Sequence, residues 1–90
     1  MEISFDPVKR ALTLERRCLD FADAPKVFEG PGFTQEDARF DYPERRFQTY
    51  GLLDGRLVMV VWADILGGRH IISMRKCNDR EQARYRQRLD

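Results

Sequence analysis

The stretch RFQTYGLLDGRLVMVVWADI, residues 46–65, decides the fold. Asp54 and Gly55 lie between two strand-like runs, and both residue types tolerate positive φ, so the dipeptide predicts a type I′ hairpin. Leu57 to Trp62 is an unbroken apolar run with three valines, as expected of a central strand covered at least in part on both faces. Gly67 and Gly68 then turn the chain into a third run, RHIISMRKC at 69–77. Asn78, with Glu81 three residues later, matches a capping box and starts a last helix. The expected unit is an antiparallel meander followed by a helix.

Upstream, a short strand is expected near Ile3 to Phe5. Asp6 can cap a helix and Pro7 suits its first position. Val8, Ala11, Leu12, Leu14, Cys18 and Leu19 form one broad apolar face of that helix. Lys9, Thr13, Arg16 and Arg17 recur opposite it, as a stripe that is either solvated or ligand-facing. Asp20 can cap a second helix, whose Phe21, Ala24, Val27 and Phe28 repeat at core spacing. EGPGFTQEDARFDYPER, residues 29–45, reads as an irregular connection holding one short strand near Phe33. Trp62, the phenylalanines, Met59 and Met74 are expected in the core.

Ninety residues suffice for one domain with one modest core, so 1–90 is read as a single domain. The fold class is α+β: two N-terminal helices on a small antiparallel sheet, a three-stranded meander plus one or two short strands, with a C-terminal helix. A net charge of +1 argues against a histone-like binder. The charge is unevenly spread, however. Residues 29–44 hold five acids against Arg39 alone, whereas residues 69–90 hold seven cations against three acids. With Lys9, Arg10, Arg16 and Arg17, this predicts a polarised surface able to attract a polyanion locally.

Cys18 and Cys77 lack paired spacing, and no signal peptide or membrane-length apolar run is read, so a reducing, cytoplasmic setting without membrane attachment is expected. Cys18, His70 and Cys77 are too scattered to read as a zinc site. No metal or other cofactor is expected.

The third run carries the chemistry. By strict alternation Arg69, Ile71, Ser73 and Arg75 share one face, and His70, Ile72, Met74 and Lys76 the other. Cations at both ends of one face can grip an anion lying across it. Arg75 offers a planar donor fork suited to phosphate, and Lys76 adds a point charge.

The stretches FDPVKRALTLERRCLDFADAPKVFEGP (5–31), ERRFQTYGLLDGRLVMVVW (44–62) and HIISMRKCNDREQARY (70–85) resemble the BrnT family of bacterial type II toxins. The resemblance covers nearly the whole chain in order and spacing. It implies a RelE-like fold and a small ribonuclease toxin that cleaves RNA without a metal and inhibits translation. It also implies a BrnA-like antitoxin with a ribbon-helix-helix DNA-binding end, so that operator DNA is met only through the complex. Phe5, Asp6, Pro7 and Lys9 keep one family block, Glu44, Arg46 and Phe47 a second, and Gly55, Arg56 and Leu57 a third. His70 to Arg75 follow the family's strand motif. Two departures stand out: Arg16, Arg17 and Cys18 replace a Lys-His-Gly pattern, and His70 replaces an arginine.

Metal-free cleavage needs a proton acceptor for the 2′-hydroxyl, charge stabilisation at phosphorus and a proton donor for the leaving 5′-oxygen. Arg75 suits the second task, with Lys76 beside it. His70 is a candidate acid or base, or simply a structural histidine. Glu44 is a candidate base or a partner for Arg46, and Tyr85 an acid or a stacking surface. Arg46, Arg56, Arg69 and Lys9 are candidate RNA contacts. An amphipathic antitoxin segment over the cationic face is expected to cover Arg75. The competing class is a non-catalytic nucleic-acid or protein-binding module using the same face.

Overall fold

Asp54 and Gly55 hold φ of 51° and 78°, the two left-handed residues that a type I′ turn requires. The computed structural model describes residues 2–89. Its elements are β1 (Ile3–Phe5), α1 (Pro7–Arg17), α2 (Ala24–Glu29), β2 (Gly32–Glu36), β3 (Arg46–Leu53), β4 (Arg56–Ile65), β5 (Gly68–Lys76) and α3 (Asp79–Tyr85). A 3-10 turn at Phe21–Asp23 leads into α2, and another at Arg86–Leu89 follows α3. The class is α+β.

The five strands form one sheet in the order β1-β5-β4-β3-β2. Strands β2 to β5 pair antiparallel. β1 pairs with β5 in parallel through Ile3 with Arg69, Ser4 with His70 and Phe5 with Ile71. The sheet is therefore mixed, not the antiparallel one expected. A three-residue run carries no local signal for the direction of its partner, which is why the sequence is silent on this point.

β4 lies at the centre and is covered on both faces. Val58, Val60 and Trp62 join Leu19, Phe21, Ala24, Val27, Ile71 and Met74 in one core. Leu57, Met59 and Val61 join Tyr50 and Cys77 in the other, with Phe33 and Tyr85 packed against them. Gly51 is required where α2 crosses β3, because a Cβ there would meet Val27 Cγ1 at 2.8 Å and the Val27 carbonyl oxygen at 3.0 Å. Trp62 donates its indole N–H to Thr49 Oγ1 at 2.8 Å, which keeps the buried ring's polar atom satisfied.

Two expectations need correcting. The first is the face assignment of β5. Val61 pairs with Ser73 but Trp62 pairs with Ile71, leaving Ile72 as an extra residue. Such a bulge reverses the alternation beyond it. Ile71 and Met74, three apart, consequently share a core, and Arg69 and Arg75 fall on opposite faces.

The second concerns α1, whose apolar face does not form core, apart from Leu19 just beyond the helix end. None of its residues is buried, and Val8 and Leu14 are 67% and 45% exposed. Its polar side meets the body instead: Arg10 pairs with Asp20 at 2.7 Å, and Arg17 Nη1 donates to the Met74 carbonyl at 2.9 Å. Beyond β1 the edge of β5 offers the Met74 carbonyl, a backbone acceptor that takes its donor from this polar side.

Candidate functional site

β1 pairs with β5 only at residues 69–71. From Ile72 onward α1 runs beside the open edge, and the seam between them is a groove. One part, of about 220 Å³, is lined by Lys9, Leu12, Thr13, Arg16, Arg17, Ile72 and Ser73. The adjoining part, of about 420 Å³, is lined by Arg16, Arg17, Cys18, Arg75 and Lys76. Five cations and no carboxylate line it among the described residues.

Each cation arrives there for a local reason. Lys9 comes from the first turn of α1 and Arg16 and Arg17 from its last; the helix is started by the Asp6 carboxylate, which accepts from Val8 N at 2.8 Å. Cys18 ends the helix at φ 58°, its N–H donating to the Leu14 carbonyl at 3.0 Å. This is the left-handed capping position usually given to glycine. Cys18 stands where the resembled pattern has that glycine.

Arg75 and Lys76 end β5 on opposite faces. Arg75 is gripped in two places by Glu81, with Nη1 to Oε1 and Nη2 to Oε2 both at 2.7 Å. Glu81 is itself locked by the capping box: its Oε1 accepts from Asn78 N at 3.0 Å, while Glu81 N donates to Asn78 Oδ1 at 2.8 Å. The arginine beside it holds the Glu81 carboxyl down at about 2, and Glu81 in turn raises Arg75 above the ordinary arginine range. The guanidinium is thereby fixed at the groove's edge rather than left to swing.

The nine candidates from the sequence do not form one cluster. Arg75, Lys76 and Lys9 line the groove, and Arg56 lies close by, lining a 220 Å³ hollow with Lys76, Cys18, Asp20 and Asp23. His70, Glu44, Arg46 and Arg69 belong to the other end of the sheet. His70 is bonded to Ser4 Oγ at 2.9 Å and precedes Arg75 by five strand residues, about 17 Å at the usual rise. Arg46 pairs across the sheet with Ala63, and Ala63 with His70. Glu44 is bound to Arg46 at 3.0 Å, and Arg46 lies over the Tyr42 ring at 4.1 Å. Arg69 is spread over Phe28 and Trp62 at 4.4 and 4.5 Å, where it covers core aromatics.

Tyr85 is packed too, 4.5 Å from the Tyr50 ring and 5.2 Å from Phe33. It anchors α3 on the sheet. Burial, followed by the proximity of Tyr85, pushes the Tyr50 phenol up to about 12. Burial likewise pushes the Cys77 thiol up to about 11, so Cys77 is an inert core group. Among the described residues no three His, Cys, Asp or Glu side chains gather as a metal site. No described helix is long and apolar enough to cross a membrane.

Arg16, Arg17, Ser73 and Glu81 are groove or groove-supporting residues that the candidate set omitted. Arg16 and Arg17 were visible as a helical stripe, but its partner strand was not. Glu81 was visible only as a cap, because nothing local in the sequence aims it at Arg75.

A cationic seam between a helix and a sheet edge gives this small α+β domain the local charge to attract a polyanion. The family model described as "Ribonuclease toxin, BrnT, of type II toxin-antitoxin system" matches residues 5–81, and the chain belongs to this family of ribonuclease toxins. Comparison with curated proteins finds no match.

Proposed function

We propose that this chain is an RNA endonuclease toxin that cuts in the α1–β5 groove without a metal, inhibits translation and is neutralised by a cognate antitoxin. The observation that carries the reading is the groove itself, where Lys9, Arg16, Arg17, Arg75 and Lys76 meet with no carboxylate lining it among the described residues. A single-stranded RNA laid along the seam sets successive phosphates against successive cations. Arg75, held in place by Glu81, binds the scissile phosphate and stabilises the charge of the phosphorane. The 2′-oxygen bonds to phosphorus and its proton passes to water. Lys76 then protonates the departing 5′-oxygen and is reprotonated by solvent. The products are a 2′,3′-cyclic phosphate and a free 5′-hydroxyl.

His70, Glu44 and Tyr85 have no part in this scheme, since each is engaged elsewhere in the structure. Arg56 is left outside the RNA path, because Asp20, Asp23 and Asp54 line the hollow it shares with Lys76. We further read the fold as RelE-like, the antitoxin as BrnA-like with a ribbon-helix-helix end, operator DNA as bound only through the complex, and the setting as cytoplasmic. One observation favours a second reading, a non-catalytic binding module: three proton-carrying candidates lie outside the groove.

The test incubates purified protein with single-stranded RNA in excess EDTA, with and without ribosomes, and compares the natural chain with Arg75→Ala. Cleavage leaving 2′,3′-cyclic ends, with turnover lost at least about 100-fold in Arg75→Ala while affinity falls far less, is expected. RNA that stays intact but bound establishes the binding module.

A further inference from the structure

The first helix presents its apolar side to solvent. Arg10, Thr13 and Arg17, spaced by three and four, make up the side that meets the body, through Asp20 and the Met74 carbonyl. Val8, Ala11 and Leu12 project elsewhere, with Val8 and Leu12 67% and 39% exposed; the exposed Glu15 lies among them one turn on, and Leu12 borders the groove. An amphipathic helix ordinarily turns such a stripe inward. Lys9 and Arg16 flank this stripe on the groove side, and both line the groove together with Leu12.

We propose that the outward face of α1 is the docking surface for the antitoxin. The occupant is an acidic amphipathic segment, with apolar side chains on Val8, Ala11 and Leu12 and carboxylates on Lys9 and Arg16. Seated there, it overhangs the groove and excludes RNA. The proposal rests on reading the groove as the RNA site.

Chemistry selects this occupant. A phosphate backbone gains nothing from three apolar side chains. A second copy of this chain brings the same net-positive face, two cations with only Glu15 to offset them, and so pairs less well than an acidic partner. An acidic segment with an apolar side satisfies both the stripe and the cations beside it.

The test measures the affinity of the full chain for its full-length cognate antitoxin by titration calorimetry, using the natural protein, Val8→Glu, Ala11→Glu and Phe40→Glu. Val8 and Ala11 are exposed on α1; glutamate is favourable at Val8 in the first turn and only slightly unfavourable at Ala11, one turn before Glu15. Phe40, 68% exposed on the loop after β2, is the control. Circular dichroism verifies each fold, and affinity for a single-stranded RNA is measured in parallel.

Val8→Glu and Ala11→Glu are expected to weaken antitoxin binding at least about 30-fold, through lost apolar contact and facing acids. RNA affinity is expected to fall only about two- to fivefold, from the added charge near Lys9 and Arg16, and Phe40→Glu to bind antitoxin normally. Unchanged antitoxin affinity in both α1 variants overturns the proposal. So does a larger fall in RNA affinity instead, which gives the face to RNA, or a free dimer split by Val8→Glu, which gives it to a second copy. Antitoxin binding lost in the variants while the natural chain binds no RNA upholds the docking surface and sinks the groove reading alone.

Discussion

Replacing Glu81 by glutamine isolates the charge that holds Arg75. Glutamine still serves a capping box, so α3 keeps its start and only the ion pair is lost. Lowering the Glu81 carboxyl from its ordinary 4.5 to about 2 corresponds at full value to about 3 kcal/mol. Arg75 is 37% exposed and Glu81 18%, so solvent screening reduces this to about 1–2 kcal/mol. The sign follows from the direction of the shift. A carboxyl depressed in the folded state contributes fully above its unfolded value of 4.5, and that contribution is lost as pH falls toward about 2. Urea unfolding of natural chain and Glu81→Gln at pH 7 should therefore differ by about 1–2 kcal/mol. The gap should narrow steadily from pH 5 to pH 2.5. A gap that is absent at pH 7, or that persists undiminished at pH 2.5, refutes the claim that Glu81 secures Arg75 by charge.

Three further outcomes follow from local geometry. Cys18→Gly relieves a left-handed residue at φ 58° and should stabilise the chain by about 0.5–1 kcal/mol, read as a raised unfolding midpoint. Thr49→Val strands the Trp62 indole N–H and should cost about 1–3 kcal/mol in urea unfolding, with altered tryptophan fluorescence. Gly51→Ala drives a methyl into Val27 and should cost about 1–3 kcal/mol by the same measurement.

The sequence was most legible where one short motif has one geometric solution. Asp54-Gly55 dictated the hairpin, Asn78 with Glu81 dictated the start of α3, and the run from Leu57 to Trp62 marked the doubly covered strand. It was least legible where the outcome depends on chain segments far apart. The bulge at Ile72 shows only in the pairing of β5 with β4, which no alternation within RHIISMRKC expresses. The apolar spacing of α1 suggests a buried face, whereas its orientation depends on what lies across from it. There the Met74 carbonyl at the edge of β5 takes its donor from the polar side. The candidate site inherited both effects: the bulge parted Arg69 from Arg75, and the turn of α1 brought Arg16 and Arg17 beside Lys76.

How a chain of net charge +1 can hold RNA also follows from placement. The acids of residues 36–44 are largely paired in place, Glu36 with Arg45, Asp37 with Arg39 and Glu44 with Arg46. At the groove no ion pair among the described residues engages Lys9, Arg16, Arg17 or Lys76, and the one carboxylate committed there holds Arg75. Neutralised acids at one end and uncompensated cations at the other leave a local field much larger than the net charge implies. Over about a Debye length of 8–10 Å, a phosphate responds to the near cations and scarcely to the distant acids. Each groove cation that contacts a phosphate adds about one to the magnitude of the salt slope of RNA binding. A slope of about three to five therefore counts the groove directly. A slope near zero would mean that these side chains, though gathered, meet no phosphate at all.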